Sequence, residues 1–220
     1  MTPDQYLQTI IRNKSVTPIQ LTDYRLTSLI NLIKTWAGSY LRDIKLSGSS
    51  AKHVVVSTQA DVDLFISLKS ETTETLKEVY DKLAKRLKEN NYSISQRTVA
   101  IQTTANGLKV DLVPGKLQAG YQLWHSLYNS DTGNSLQTNI EGHIDTILKS
   151  GRQDEIRAFK IWCINHSLKF PSIYLELIIL EALYNKNKGQ LAINTITILE
   201  YLRDKFVEKL ILDPSNTNNR

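Results

Sequence analysis

Residues 61 to 68 read Asp-Val-Asp-Leu-Phe-Ile-Ser-Leu, an apolar run of strand length that opens with two carboxylates. Alternate residues of a strand point to one face, so Asp61 and Asp63 project together while Val62 and Leu64 project to the other. Two carboxylates roughly 7 Å apart along a strand repel each other, and burial raises that cost. A hard divalent cation such as Mg²⁺, which prefers oxygen ligands, relieves the repulsion. A third acid of the same kind is Asp111, between Val110 and Leu112 in "GLKVDLVPG". If the two strands pair, three carboxylates meet on one sheet face. Such a set can hold two Mg²⁺ ions, which activate an attacking hydroxyl and steady a leaving pyrophosphate. The plainer reading makes the aspartates strand-edge charges facing solvent. Gly48 and Ser49 weigh against it, because a glycine turn entering a helix offers backbone N–H groups to phosphate oxygens.

The pattern around these residues is mixed in its first part and helical in its second. A helix is expected from Thr17, with Pro18 at its first position, to Arg42, carrying Leu21, Tyr24, Leu26, Leu29, Ile30, Leu32, Ile33 and Trp36. It would be the longest helix of the first half. Lys45 to Ser47 read as a short strand, "GSSAK" as a turn into a short helix, and Asp61 to Leu68 as a second strand. Thr73 to Asn90 is an amphipathic helix with lysines on its polar face. Strands follow at 92–96, 98–103 and 108–113, with "ANG" turning between the last two. Helical segments are expected near 139–149, 152–168, 172–185 and 189–211, separated at Gly151, Pro171 and Gly189. The expected division is residues 1–138, a catalytic α/β domain with N-terminal helices, and residues 139–220, a helical nucleotide-binding domain.

Composition narrows the setting. With 41% hydrophobic residues in 220, the chain has enough apolar material for a sizeable core. A net charge of +5 suits polyanionic ligands but is too small to identify one. The single cysteine, Cys163, excludes an internal disulfide and suits a reducing cytosol. No apolar stretch reaches the ~18 residues that span a bilayer, and the N-terminus lacks the apolar core of a signal peptide. A soluble, cytoplasmic protein with no membrane partner is expected.

A Gly-Ser turn, about a dozen residues, D-x-D in a strand and a later strand aspartate resemble the signature of the DNA polymerase β-like nucleotidyltransferase superfamily. Here those residues are Gly48, Ser49, Asp61, Asp63 and Asp111, flanked by "DLF" and "VDLVP". The resemblance implies an α+β fold: a mixed sheet with flanking helices, then an all-helical domain, with a cleft between them. His53-Val54 stands where the family usually has Gly-Thr, and Ala60 where a serine often precedes the first aspartate. His53 reads as a surface residue at a helix end.

In the second half, Lys160 and Glu176 sit among apolar helical neighbours. They read equally as a bridged pair in helix packing, or as a triphosphate contact and its orienting neighbour. The run K-I-W followed by "PSIYLELI" is similar to the helical domain of 2′-5′-oligoadenylate synthetases, cyclic GMP-AMP synthase and the bacterial oligonucleotide or dinucleotide synthetases of antiphage signalling. "TNIEGHI" and "DPSNTNN" match the same branch, so the resemblance covers roughly residues 40 to 220, and relatives usually continue beyond the position of Arg220. It implies that Lys160 and Ser172 contact the triphosphate. Ile173 stands where some relatives stack a tyrosine on the base, and Tyr174, Trp124, Tyr128 and Trp162 are expected mainly to pack.

The resulting expectation is a Mg²⁺-dependent enzyme, with Mn²⁺ as a substitute, that builds a short linear or cyclic oligonucleotide messenger from nucleoside triphosphates. Asp61, Asp63 and Asp111 would be catalytic and metal-binding; Gly48, Ser49, Lys160 and Ser172 would bind nucleotide. A downstream effector would sense the product. A nucleic-acid acceptor or activator stays open, as do nucleotidyl transfer onto a macromolecule and a catalytically silent nucleotide-binding module.

Overall fold

A computed structural model describes residues 1–56, 61–205 and 210–216. Ala60, residues 206–209 of the expected last helix and the end of the polar tail lie outside the described residues, while Leu210 and Ile211, expected in that helix, are not helical. The elements in chain order are α1 (Pro3–Lys14), α2 (Thr27–Ala37), β1 (Leu41–Leu46), α3 (Gly48–Ala51), β2 (Val62–Leu68), α4 (Leu76–Glu89), β3 (Ile94–Gln96), β4 (Ile101–Ala105), β5 (Leu108–Leu117), β6 (His125–Tyr128), β7 (Ser135–Thr138), α5 (Ile140–Ser150), α6 (Gln153–Asn165), α7 (Ser172–Ala182) and α8 (Leu191–Lys205). None of the described helices is long and apolar enough to cross a membrane.

Residues Ile19–Ala51 and Gln59–Glu141 form one compact unit around a mixed sheet. Its strand order is β1-β2-β5-β4-β3, with β6 joining the far end of β5 and β7 pairing with β6. The pair β2–β5 is parallel and the other pairs are antiparallel. Val62, Leu64 and Ile66 of β2 and Val110 and Leu112 of β5 face one way, into a core with Leu29 and Ile33 of α2 and Val79, Leu83 and Leu87 of α4. The period-two alternation of a strand therefore turns Asp63 and Asp111 to the opposite face. α4 starts as its sequence asks: Thr75 and Glu78 form a reciprocal capping box. Its lysines pair with acids at the surface, Lys77 with Asp81 and Lys82 with Glu74.

The expected helix from 17 to 42 is not formed as one element. Asp23 Oδ1 accepts the backbone N–H of Arg25 at 2.9 Å and starts a 3-10 turn over Tyr24–Leu26, so α2 begins at Thr27. Gly38, at φ +51°, then ends it, and the chain enters β1 at Leu41, ahead of the expected strand. The expected strand at 98–103 starts at Ile101, and the hairpin to β5 turns through Asn106 and Gly107, both at positive φ as a tight primed turn requires.

The second compact unit comprises Met1–Pro18, Lys52–Thr58 and Gly142–Arg220. The units thus do not follow a simple division at residue 138: α1 and the segment after α3 belong with the helices. α1 packs against α6 and α8, and Asp4 accepts the backbone N–H of Ala192 at 2.6 Å, which ties it to the first turn of α8. Val54 is fully buried among Phe159, Leu175, Ile179 and Ile198, so a valine from the first half completes the helical core.

Candidate active site

Parallel pairing of β2 with β5 sets Val62 beside Val110 and Asp63 beside Asp111. On the other side of β5, Gln102 of β4 pairs with Asp111. Asp63, Asp111 and Gln102 therefore form a polar row across three strands, on the face away from the α2–α4 core. Asp61, two residues upstream of Asp63, extends that row. The Gln102 amide donates to Asp61 Oδ2 at 3.1 Å, and its own oxygen accepts from Arg97 at 2.9 Å. Gln102 holds Asp61 in place and Arg97 holds Gln102.

The three carboxylates do not share one environment. Asp111 Oδ1 is buried and has no hydrogen-bond partner among the described residues. Burial pushes the Asp111 carboxyl above its ordinary range; the Gln102 amide opposes that rise and the negative charge of Asp61 adds to it. Asp63 lies against the turn before α3. Its backbone oxygen accepts the Ser47 N–H at 2.9 Å, and a Cβ placed on Gly48 would stand 1.8 Å from Asp63 Oδ2. Gly48 also sits at φ +58°, so both its backbone conformation and its lack of a side chain are needed. Ser49 follows it, half-buried, in α3. The structure thus brings Gly48, Ser49, Asp61, Asp63 and Asp111 together in the sheet unit.

Oxygen donors of this kind fit a hard divalent ion, and the unpartnered Asp111 oxygen is what an ion would satisfy. Among the described residues, no three acidic, histidine or cysteine side chains already enclose one point. The contacts above explain this: Asp61 is turned to Gln102 and Asp63 to the Gly48 turn.

Lys160 and Ser172 belong to the helical unit. Lys160 Nζ lies 2.9 Å from Glu176 Oε1, and the other oxygen of Glu176 accepts from Lys52 Nζ at 2.7 Å. Glu176 is 1% exposed, so one buried carboxylate is shared by two ammonium groups. Ser172 is exposed at the first position of α7, just after Pro171. His53 is exposed at positive φ directly after α3, in keeping with a surface role. Trp162 packs against Phe159 and His166, with ring centroids 5.6 Å and 5.1 Å away, and Tyr128 packs against Tyr80 at 5.6 Å.

Sequence reasoning missed Arg97, Gln102 and Lys52. Gln102 left a trace, a polar residue between Ile101 and Thr103, both buried in β4. Lys52 left almost none, since its partner Glu176 is 124 residues away.

No family model matches the chain. A curated protein, the cyclic AMP-AMP-AMP synthase of Escherichia coli (strain MS 115-1), is 29% identical over 159 residues, covering 63% of this chain and 49% of that protein. This match spans about half the length of the relative. Among solved structures, E. coli MS115-1 CdnC with ATP superposes with a TM-score of 0.73 at 21% identity, covering 100% of this chain and 84% of that one. The Elizabethkingia meningoseptica CdnE cyclic dinucleotide synthase with GTP and Apcpp gives a TM-score of 0.70 at 17% identity, covering 92% and 86%. The sheet that sets Asp63 beside Asp111, with helices flanking it, thus has the α+β fold of the bacterial CdnC and CdnE structures.

Proposed function

We propose that this chain is a Mg²⁺-dependent, template-independent nucleotidyltransferase. It joins nucleoside triphosphates into a short linear or cyclic oligonucleotide, a second messenger of antiviral defence sensed by a downstream effector, and releases pyrophosphate. The observation that carries this reading is the polar row of Asp61, Asp63 and Asp111 with one buried Asp111 oxygen left without a partner among the described residues. Likeness to a cyclic AMP-AMP-AMP synthase supports the same chemistry and makes ATP the first substrate to try.

Two divalent ions held by the aspartates would activate the acceptor hydroxyl and neutralise charge on the leaving pyrophosphate. The chain's own residues do the rest. Asp61 and Asp63 supply the negative charge that both ions need, and Gln102 fixes the orientation of Asp61. Asp111 takes the proton of the attacking hydroxyl as its oxygen bonds to the α-phosphorus and the bond to pyrophosphate breaks. Gly48 and Ser49 bind donor phosphates through N–H groups at the turn, and the Lys160 ammonium and Ser172 hydroxyl bind the triphosphate.

The test is incubation of purified protein with the four NTPs, then the four dNTPs, with Mg²⁺ or Mn²⁺, and mass spectrometry of the products. New short oligonucleotides without an added acceptor are expected, and none from the Asp61→Asn/Asp63→Asn protein. Label that appears only on added RNA or protein would reassign the enzyme to macromolecule modification. Undiminished turnover in the doubly substituted protein would remove the aspartates from the site.

A further inference from the structure

The helical unit carries a cavity of about 470 Å³ where the C-terminal end of α1 and the segment after it meet the first turns of α6. Its charged lining is Arg12, Arg157 and Asp154, two guanidinium groups against one carboxylate. Arg157 bonds Asp154 through a terminal nitrogen, while its Nε–H is buried and has no hydrogen-bond partner among the described residues. The hydroxyl of Ser15, another lining residue, is buried and unpartnered in the same way.

Unpaired buried polar groups are scarce in folded proteins, and each calls for a cause. Two residues that line one cavity carry such groups, beside a surplus of positive charge, and an oxyanion is a remedy common to both. A guanidinium presents its N–H groups as a fork that matches two oxygens of a phosphate, and a serine hydroxyl donates one bond more.

The other walls favour a particular carrier of that anion. Ile11, Val16 and Pro18 line the cavity with aliphatic surface, and its volume far exceeds that of a phosphate. No aromatic ring belongs to the lining, so a nucleobase would find nothing to stack on. We propose that this cavity binds a small phosphomonoester on a non-aromatic carrier, such as a sugar phosphate, with Arg12, Arg157 and Ser15 donating to its oxygens.

The inference stands apart from the catalytic reading, and its test uses no turnover. The full chain is titrated calorimetrically in EDTA, so that the aspartates hold no metal, with ribose 5-phosphate, inorganic phosphate and ribose. Saturable binding of ribose 5-phosphate and none of ribose is expected. Arg12→Ala, at an exposed position, weakens binding about tenfold, the loss of one charge-assisted hydrogen bond. Asp154→Asn, which releases Arg157, tightens it. Inorganic phosphate binding as tightly as the sugar phosphate would uphold the oxyanion site and discard the carrier. Failure of both phosphates to bind, or wild-type affinity in Arg12→Ala, would overturn the site altogether.

Discussion

Asp111 in the sheet unit, half-buried with one oxygen hidden from solvent, and Glu176 in the helical unit, almost wholly buried, are treated in opposite ways. Glu176 has each oxygen bonded to a lysine, Lys160 at 2.9 Å and Lys52 at 2.7 Å. Asp111 has one oxygen with no hydrogen-bond partner among the described residues, and the negative charge of Asp61 adds to its difficulty. A buried charge is tolerable when paired and hydrogen-bonded, and costly otherwise. The helical unit has met that requirement within its own chain. The sheet unit has left it unmet at the row where the fold puts its acids, and the metal-dependent chemistry proposed above rests on that difference.

The comparison breaks most sharply at the two carboxylates themselves. Asp111→Asn is expected to lower turnover by about a thousandfold or more, because a metal ligand and a proton acceptor go together. The same change should raise stability by about 1 kcal/mol, since it removes a charge that burial disfavours. The melting midpoint would then rise by about 3 °C. A fall in the midpoint would mean that the carboxylate is satisfied and that no cation is needed there. Glu176→Gln should do the reverse and cost about 3 to 5 kcal/mol by leaving two ammonium groups without their counter-charge. Urea denaturation checks this, and a loss below about 1 kcal/mol would show that water already shares the cluster.

The two sites were legible to different degrees for a related reason. Asp61, Asp63 and Asp111 stood out because each is a charge inside an apolar strand, and strand alternation is a local rule. Lys52 acquires its meaning only from Glu176, and Gln102 only from a register that pairs β4 with β5. Strands β6 and β7, four residues each, are too short to show a period, so the sequence predicts no element between Pro114 and Thr138. The overlong first helix failed for the converse reason. Its apolar spacing was helical, but one side-chain bond at Asp23 and one positive φ at Gly38 outweighed the pattern. The membership of α1 in the helical unit is a long-range fact too, carried by Asp4 meeting α8.

Gly48 sharpens the comparison from the side of the acids. It is the point where backbone, not side chain, makes room for Asp63, with Asp63 Oδ2 standing 1.8 Å from where a Cβ would be. Gly48→Ala must either move that carboxylate or leave the left-handed conformation at φ +58°. A displacement of about 1 Å at a catalytic group costs roughly a hundredfold in rate. The backbone adds a stability loss of about 1 to 2 kcal/mol. Steady-state kinetics should show the fall in kcat, and a KM change with kcat intact would place the turn outside the chemistry.

His125 supplies the third case, a buried titratable group that is satisfied by being neutral. It is 1% exposed, with Nε2 at 2.8 Å from Ser67 Oγ and Nδ1 at 3.0 Å from the Leu123 carbonyl. A neutral ring fits both contacts, with Nδ1–H donating to the carbonyl and Nε2 accepting the serine hydroxyl. Burial lowers its pKa below the ordinary 6.5, against the pull of the Leu123 carbonyl. The unfolded chain therefore takes up a proton that the folded chain refuses. Stability from this group is fully present above pH 6.5 and declines as the pH falls below it, until the folded ring also protonates. Denaturation midpoints measured from pH 7.5 to 5 should show that decline, and His125→Gln should flatten it while being less stable at every pH. An unchanged slope in the variant would move the effect to another group, and the sheet unit would then hold no counterpart to Glu176.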